Sequence, residues 1–415
     1  MMTSLRLAIL CSTSNTYLLN MCFALMKGFH RIGVDCQLLD ADKPAEALSN
    51  ELDKLCPDAV FEINRTRGQS PLSLPASCLH LCWIQDAWHQ DPVSGNKLLH
   101  RADPRFGGSD LLYGLLKADY FGLQAQATKQ EWRILQPGAD TELYPNLPDS
   151  RPEPGLASIC GYIPKPIKPT PDMHEQVIAR HQGRQVSVGD LIFSLSYQYK
   201  VSISRHSTGD IHQLMTDEIN RRLGIAISVD EMLALFGSHW TLLLLDTELP
   251  RIPDRLSNAC AALDEGLQLA LYGPNQWLGW ERLAPYYQRN LSWGSELANV
   301  YRRSQFNLHN GAFGMHQRVL ECMAAGGTIL INHTDYDPAH DVQAYFNDGE
   351  HYIAYQPETL RETLALWKNR HDTLRDIGQQ ATAHVRKHHR WENRAATIVA
   401  DIRALRSQRR LIGQP

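Results

Sequence analysis

The chain lacks an uninterrupted apolar run long enough to cross a bilayer. Its best stretch, Leu7 to Met26, is cut by Ser12-Thr13-Ser14-Asn15-Thr16, well short of the ~20 residues that a spanning helix needs. No transmembrane segment is expected. A large charge of either sign is missing too: 41 Lys and Arg stand against 45 Asp and Glu, a formal net charge of −4. The basic residues are scattered, which excludes the concentrated footprint that neutralises nucleic-acid phosphates. Nor is there a dense cysteine framework. Nine cysteines are spread through apolar segments, a pattern that favours reduced thiols and a cytoplasmic protein. Internal repeats and low-complexity tracts are also missing, so a repeat architecture is not expected.

Two weak signals resolve into ordinary ones. Leu7-Ala8-Ile9-Leu10-Cys11 has the outline of a lipoprotein cleavage site, but a bulky Leu precedes the Cys and the apolar run is too short for a signal peptide. It reads as a first buried strand. Cys78, His80 and Cys82 alternate and would share one face of a strand, yet no second ligand pair follows at finger-like spacing. No metal is expected.

What is present is enough apolar residue, 43% of 415, to fill two cores. Leu7 to Leu10 reads as a strand, Ser12 to Thr16 as a turn and Tyr17 to Ile32 as a helix. Val34 to Leu39 follows as a strand, Pro44 to Leu55 as a helix, then Ala59 to Ile63 and Leu79 to Ile84 as strands. Strands alternating with helices imply a parallel sheet covered on both faces. Pro145, Pro148, Pro152 and Pro154 make a breaker-rich stretch, which puts a domain boundary near residue 150. Ser158 to Tyr162 restarts the strand-then-glycine pattern. Between about 165 and 260 the alternation lapses, with helices over Asp210 to Leu223 and Val229 to Phe236, so a helical insertion is expected there. Leu267 to Tyr272, Phe306 to His309 and Thr328 to Ile331 resume the strands. The tail from Leu374 to Arg409 is helical and is expected to pack across the domain junction.

The segment richest in chemistry is strand Phe306 to His309, turn Asn310-Gly311-Ala312-Phe313-Gly314, and helix His316 to Ala325 closed by Gly326-Gly327. A right-handed crossover puts that turn at the carboxyl edge of the sheet, where ligands of open α/β sheets bind. Helix N-terminal amides suit an anionic diphosphate, and Arg318 adds a positive fork. Arg318 and Glu321 are three apart and are expected to share a polar face, opposite Val319, Leu320 and Met323. A carboxylate such as Glu321 can accept two ribose hydroxyls. By spacing alone, however, an Arg and a Glu at i,i+3 equally describe a solvated surface pair, and glycine after a helix is an ordinary C-cap.

The run from Phe306 to Gly327 resembles the donor-binding signature of the group 1 glycosyltransferases, in the spore-maturation CgeB-like branch. Leu271-Tyr272-Gly273 with Trp277, Leu297 to Ser304, and Trp391-Glu392-Asn393-Arg394-Ala395 resemble companion motifs in the same order. Pro57 to Asn64, Cys82 to Asp86, Pro137 to Asp140 and Tyr144-Pro145 resemble the family's N-terminal half more loosely. The resemblance implies a GT-B-like α/β fold, with two facing Rossmann-like domains and the insertion in the second. It implies a nucleoside-diphosphate-sugar co-substrate, no other cofactor, and a metal-independent transfer to a surface polysaccharide, lipid-linked glycan or protein.

On that reading Glu321 holds the donor ribose, and Arg318 with the turn from Asn310 to Gly314 holds the diphosphate. His309, Gly161, Gly273 and Lys165 complete the donor side. The broader group often carries a second Glu eight positions earlier, where this chain has Phe313, so the grip on the sugar stays open. Polar residues at the carboxyl ends of the N-terminal strands are the acceptor-side candidates: Asn15, Thr16 and Asn64. Asp86 is the first choice of general base and His89 the second, although both residue types also serve as turn residues. The insertion is a candidate surface for self-association, and the chain a candidate for peripheral membrane association. A nucleotide-sugar epimerase, which needs no acceptor, and a non-catalytic glycan-binding or assembly protein are the alternatives.

Overall fold

The computed structural model describes residues 5–127, 131–147, 151–166, 170–181, 183–190, 211–236, 251–311, 314–332 and 337–411. The chain divides into two units, Met1–Asp140 with His388–Pro415, and Thr141–Lys387. Among the described residues no helix is long and apolar enough to cross a membrane.

The first unit opens with β1 (Arg6–Cys11), α1 (Thr16–Arg31), β2 (Asp35–Asp40), α2 (Ala45–Leu55), β3 (Ala59–Ile63) and β4 (Leu79–Ile84), as the alternation predicts. The sequence pattern does not mark the antiparallel pair β5 (Trp88–Gln90) and β6 (Lys97–Leu99), nor β7 (Leu111–Gly114) and β8 (Trp132–Ile134). These strands are only three or four residues long, too short to carry a period. The parallel sheet runs β2-β1-β3-β4-β7-β8. Its strand order reverses at β1 and β3, so the residues just past Cys11 and Ile63 lie at the position where such sheets receive ligands. Buried Ala8, Leu10, Leu48, Leu52 and Val60 pack α2 onto one face.

The second unit begins with β9 (Glu153–Cys160). A region of mixed character follows, with α3 (Pro171–Glu175), the antiparallel pair β10 (Val177–His181) and β11 (Arg184–Ser187), α4 (Ile211–Leu223) and α5 (Val229–Phe236). Beside the two helices expected there, the region carries the antiparallel pair β10 and β11, which the sequence pattern does not mark; Asp210 lies outside the described residues. Helix α6 (Arg251–Asp264) belongs to the sheet's own core instead, because Ile252, Ala259 and Ala262 pack with Leu269, Leu271 and Phe306.

Strands β12 (Gln268–Tyr272) and β13 (Tyr287–Arg289), α7 (Ser295–Arg303), β14 (Ser304–His309), α8 (Gln317–Ala325), β15 (Ile329–Asn332), β16 (Ile353–Tyr355), α9 (Leu360–Trp367) and α10 (His371–His388) complete the unit. The sheet is parallel throughout, in the order β13-β12-β9-β14-β15-β16. Its order reverses between β9 and β14.

The chain then returns to the first unit as α11 (Trp391–Leu411). Trp391 is 1% exposed and meets Trp83 edge-on at 6.4 Å. The fit is close: a β-carbon on Gly28 would lie 2.8 Å from the Trp391 carbonyl group, so glycine is required there for backbone to approach backbone. Tyr113 donates to Asp401 at 2.9 Å from the floor of the sheet.

Candidate functional site

At the strand-order reversal of the second unit, the last residues of β9 and β14 lie side by side. Gly161 follows β9, and a β-carbon there would stand 2.5 Å from Arg318 Nη1 and 3.6 Å from Arg255 Cζ. Two guanidinium groups thus converge on one glycine. Arg318 donates from Nη1 to the Cys160 carbonyl at 3.1 Å, while Arg255, 7% exposed, lies 5.1 Å from the Tyr162 ring centre. Two guanidinium groups that face one glycine at this sheet edge suit an anion.

Gly273 lies on the same edge. Its φ of +135° is open only to glycine, and a β-carbon would strike the Gly161 carbonyl. Gly161 N–H donates to Tyr272 O at 2.8 Å, and Trp277 Nε1 donates to Gly161 O at 2.8 Å. The glycine is held by its backbone while its Cα face stays open to the two arginines.

The turn after β14 is anchored from several sides. Asn310 Nδ2 donates to the Asp254 carbonyl at 3.1 Å, and the Tyr355 hydroxyl donates to His309 O at 2.9 Å. Asn332 Nδ2 reaches the Gly311 carbonyl at 3.4 Å. Beyond the turn, Met315 N–H donates to Asp341 Oδ1 at 2.6 Å, and His316 caps α8 by accepting from Arg318 N–H at 3.1 Å. The His309 and His316 rings lie 5.3 Å apart. Gly314 faces Val342 and Ile331 so tightly that a β-carbon would approach within 2.6 Å. Ala312 and Phe313 lie outside the described residues.

Glu321 corrects an expectation. A polar face shared with Arg318 would leave both side chains open, but Glu321 is 0% exposed and Arg318 is half-buried. The reason is tertiary: α8 packs against α7 and β15, and Thr382 of α10 donates to the Met323 carbonyl near its end. The helix is enclosed all round, so an i,i+3 spacing that describes a surface stripe in isolation describes a buried carboxylate here. Gln317 Nε2 donates to Glu321 Oε1 at 3.1 Å. Burial pushes the neighbouring Cys160 thiol up to about 12, with Arg318 opposing and Glu321 adding to the rise. Cys160 therefore senses both side chains.

Lys165 stands exposed, four residues past Gly161. The cation that joins Arg318 at Gly161 is Arg255, which sequence reasoning missed because it fell inside the expected insertion. The helical pattern from Arg251, directly before a strand, was the available signal.

In the first unit Asn64 and Asp86 form one structure. Asn64 has φ +54°, an uncommon conformation that Asn tolerates better than most residues. Its Oδ1 accepts from Gln85 N at 2.6 Å and Asp86 N at 3.0 Å, and its Nδ2 donates to Asp86 Oδ2 at 2.8 Å. Asp86 is half-buried at the end of β4. Asn15 is exposed and accepts from Leu18 N–H at 3.2 Å as the N-cap of α1, and Thr16 is the first residue of that helix.

His89, the second choice of general base, lies in β5. It is 1% exposed, pairs with Asp103 at 2.8 Å and stacks on His100 at 5.3 Å. Burial holds its pKa below the ordinary value although Asp103 pulls the other way. Its Nε2 is committed to the Asp103 carboxylate. His80 is likewise committed within the sheet, to Glu62 and to Ser109, both at 3.0 Å.

Residues 253–400 match a family model described as glycosyl transferase-like. The chain is similar in structure to the sucrose-phosphate synthase of Thermosynechococcus elongatus, with 10% identity, 97% of this chain and 100% of that one covered, and a TM-score of 0.53. It is also similar to Anabaena HepE in complex with UDP, with 8% identity, 96% and 100% coverage and a TM-score of 0.51. In complex with UDP and glucose that protein aligns with 8% identity, 96% and 99% coverage and a TM-score of 0.50. None of the curated proteins matches the chain in sequence. At these identities the likeness gives the fold, an α/β GT-B architecture with two parallel-sheet units.

Proposed function

We propose that this protein is a metal-independent glycosyltransferase that takes its sugar from a nucleoside diphosphate bound at the carboxyl edge of the second sheet. The observation that carries the reading is the convergence of Arg318 and Arg255 on Gly161 at the strand-order reversal. A diphosphate is the anion such a place accommodates. Support comes also from the glycosyl transferase-like match over 253–400, which takes in both arginines and Glu321, and from the fold shared with UDP-binding HepE.

In this reading Arg318 and Arg255 hold the diphosphate, and the anchored residues Asn310, Gly311 and Gly314 lie beside it. Glu321 accepts from the ribose hydroxyls. During transfer the bond from the anomeric carbon to the phosphate oxygen breaks and a bond to the acceptor oxygen forms. The negative charge that develops on the leaving diphosphate is met by the two fixed guanidinium groups. For an inverting course, Asp86, oriented by Asn64, receives the acceptor hydroxyl's proton. The acceptor is a hydroxyl of a polysaccharide, a lipid-linked glycan or a protein.

Calorimetric titration of wild type and Glu321→Ala with UDP, GDP and ADP tests the assignment. Wild type should bind at least one of them, and the variant at least tenfold more weakly, since a buried carboxylate that accepts ribose hydroxyls contributes about 1.5–3 kcal/mol. Equal affinity in the two proteins would remove Glu321 from the site, and no binding by wild type would remove the site itself.

A further inference from the structure

We propose that Gln317 is a positioning residue of the donor site: its side-chain amide aims the Glu321 carboxylate and presents its own carbonyl oxygen to a ribose hydroxyl of the bound nucleotide. The inference rests on the donor-site reading above and deepens it. Gln317 opens α8 and stands one turn before Glu321, so the two side chains are neighbours on the helix. Its Nε2 donates to Glu321 Oε1 at 3.1 Å, and the residues are 4% and 0% exposed.

The carboxylate decides which way the amide points. A flipped amide would set oxygen against carboxylate oxygen and lose that hydrogen bond. With the nitrogen so committed, Oε1 is the free end. It is shut off from solvent and accepts no hydrogen bond among the described residues. Buried side-chain acceptors are almost always satisfied, and an orphan calls for a specific reason. A ribose supplies one: its two adjacent hydroxyls are donors, one for the Glu321 carboxylate and one for Gln317 Oε1. The pair therefore reads a vicinal diol, and a 2′-deoxy sugar leaves one acceptor unsatisfied, the situation in which a polar site rejects an analogue most strongly.

The test is calorimetric titration of the full chain with UDP, GDP and ADP, each beside its 2′-deoxy counterpart. The proteins are wild type, Gln317→Met, Gln317→Asn, Glu321→Gln and the double variant Gln317→Met/Glu321→Gln. The nucleotide that wild type binds should bind Gln317→Met roughly tenfold more weakly. The preference for ribose over deoxyribose should fall towards unity, and the loss should shrink when Glu321→Gln is already present, because the two residues act as a unit. Gln317→Asn keeps the amide one methylene short and carries the test should the Met variant fail to fold, as its unliganded melting curve would reveal. An unchanged ribose preference in the folded variants overturns the role of Gln317 and leaves the nucleotide site standing. Failure of wild type to bind any of the ribonucleotides overturns that site and the inference with it.

Discussion

Arg318 donates to the Cys160 carbonyl at 3.1 Å, and the same guanidinium occupies the place where a β-carbon on Gly161 would stand, 2.5 Å from Nη1. The glycine is therefore what lets the arginine lie along the end of β9. Gly161→Ala tests this dependence. The atom it meets is the tip of a long side chain, which can swing away, so the melting temperature should change little. The displaced guanidinium should weaken nucleoside-diphosphate binding by about tenfold, the equivalent of ~1.4 kcal/mol. Calorimetry on the folded variant checks it, and undiminished affinity would show that the position of Arg318 does not matter to the ligand.

Asp86 and Asn64 give a paired expectation. Asp86→Asn should lower kcat by roughly 10²–10⁴ if the carboxylate is the general base, with nucleotide affinity unchanged. Asn64→Gly tolerates the positive φ of +54° but releases Gln85 N, Asp86 N and the Asp86 carboxylate. Its kcat should fall by a smaller factor, with a modest loss of stability. The contrast between the two variants in a donor-hydrolysis or transfer assay is the measurement. If Asp86→Asn turned over like wild type, the base would have to be sought elsewhere.

The stacked histidines predict an acid weakness. Burial, with His89 adding to it, holds His100 well below the ordinary histidine value, and burial also holds His89 below it. Asp103, Arg105, Gln69, Arg65 and Phe106 are the groups that face them. An unfolded histidine titrates near ~6.5. Above that pH neither state binds the proton and stability is complete; as pH falls through ~6.5 towards the lower folded values, the unfolded chain takes protons that the folded one refuses, and stability drops. The limit is ~1.4 kcal/mol per pH unit per histidine. Asp103, for which burial is outweighed by Arg105 and which sits at about 2, loses its contribution only below ~4. Urea midpoints of wild type and His100→Gln at pH 7.5 and 5.5 separate the windows: the variant should show the shallower decline. Equal declines would exclude His100 as a source.

Much of the scaffold is legible without coordinates because it rests on local periodicity. Strands β3 and β4 begin and end where the apolar runs do, and α1 opens at Thr16, just before the expected Tyr17, with Asn15 as its cap. The strand-turn-helix-strand unit around Asn310 is legible for the same reason. Its glycine at 326 takes φ +91°, the left-handed close expected after Ala325. The short strands β5 to β8 are not legible, since three or four residues cannot display an alternation and are held by pairing with neighbours.

The side chains divide along the same line. That Arg318 and Glu321 stand together follows from the helical repeat, which is local and short-range. Whether Glu321 meets water or is enclosed depends on α7, β15 and α10 coming from elsewhere in the chain, and only the folded protein decides it. The same holds for Arg255, some 60 residues from Arg318 in sequence and beside it at Gly161, and for His89, whose burial is set by Asp103 and His100 across a hairpin. Sequence by itself determined the longer strands and helices and which helix carries the charged pair. Tertiary packing decided which of those charges are buried, which converge and which are left to solvent, because desolvation and Coulomb interaction act through space between residues that no local pattern connects.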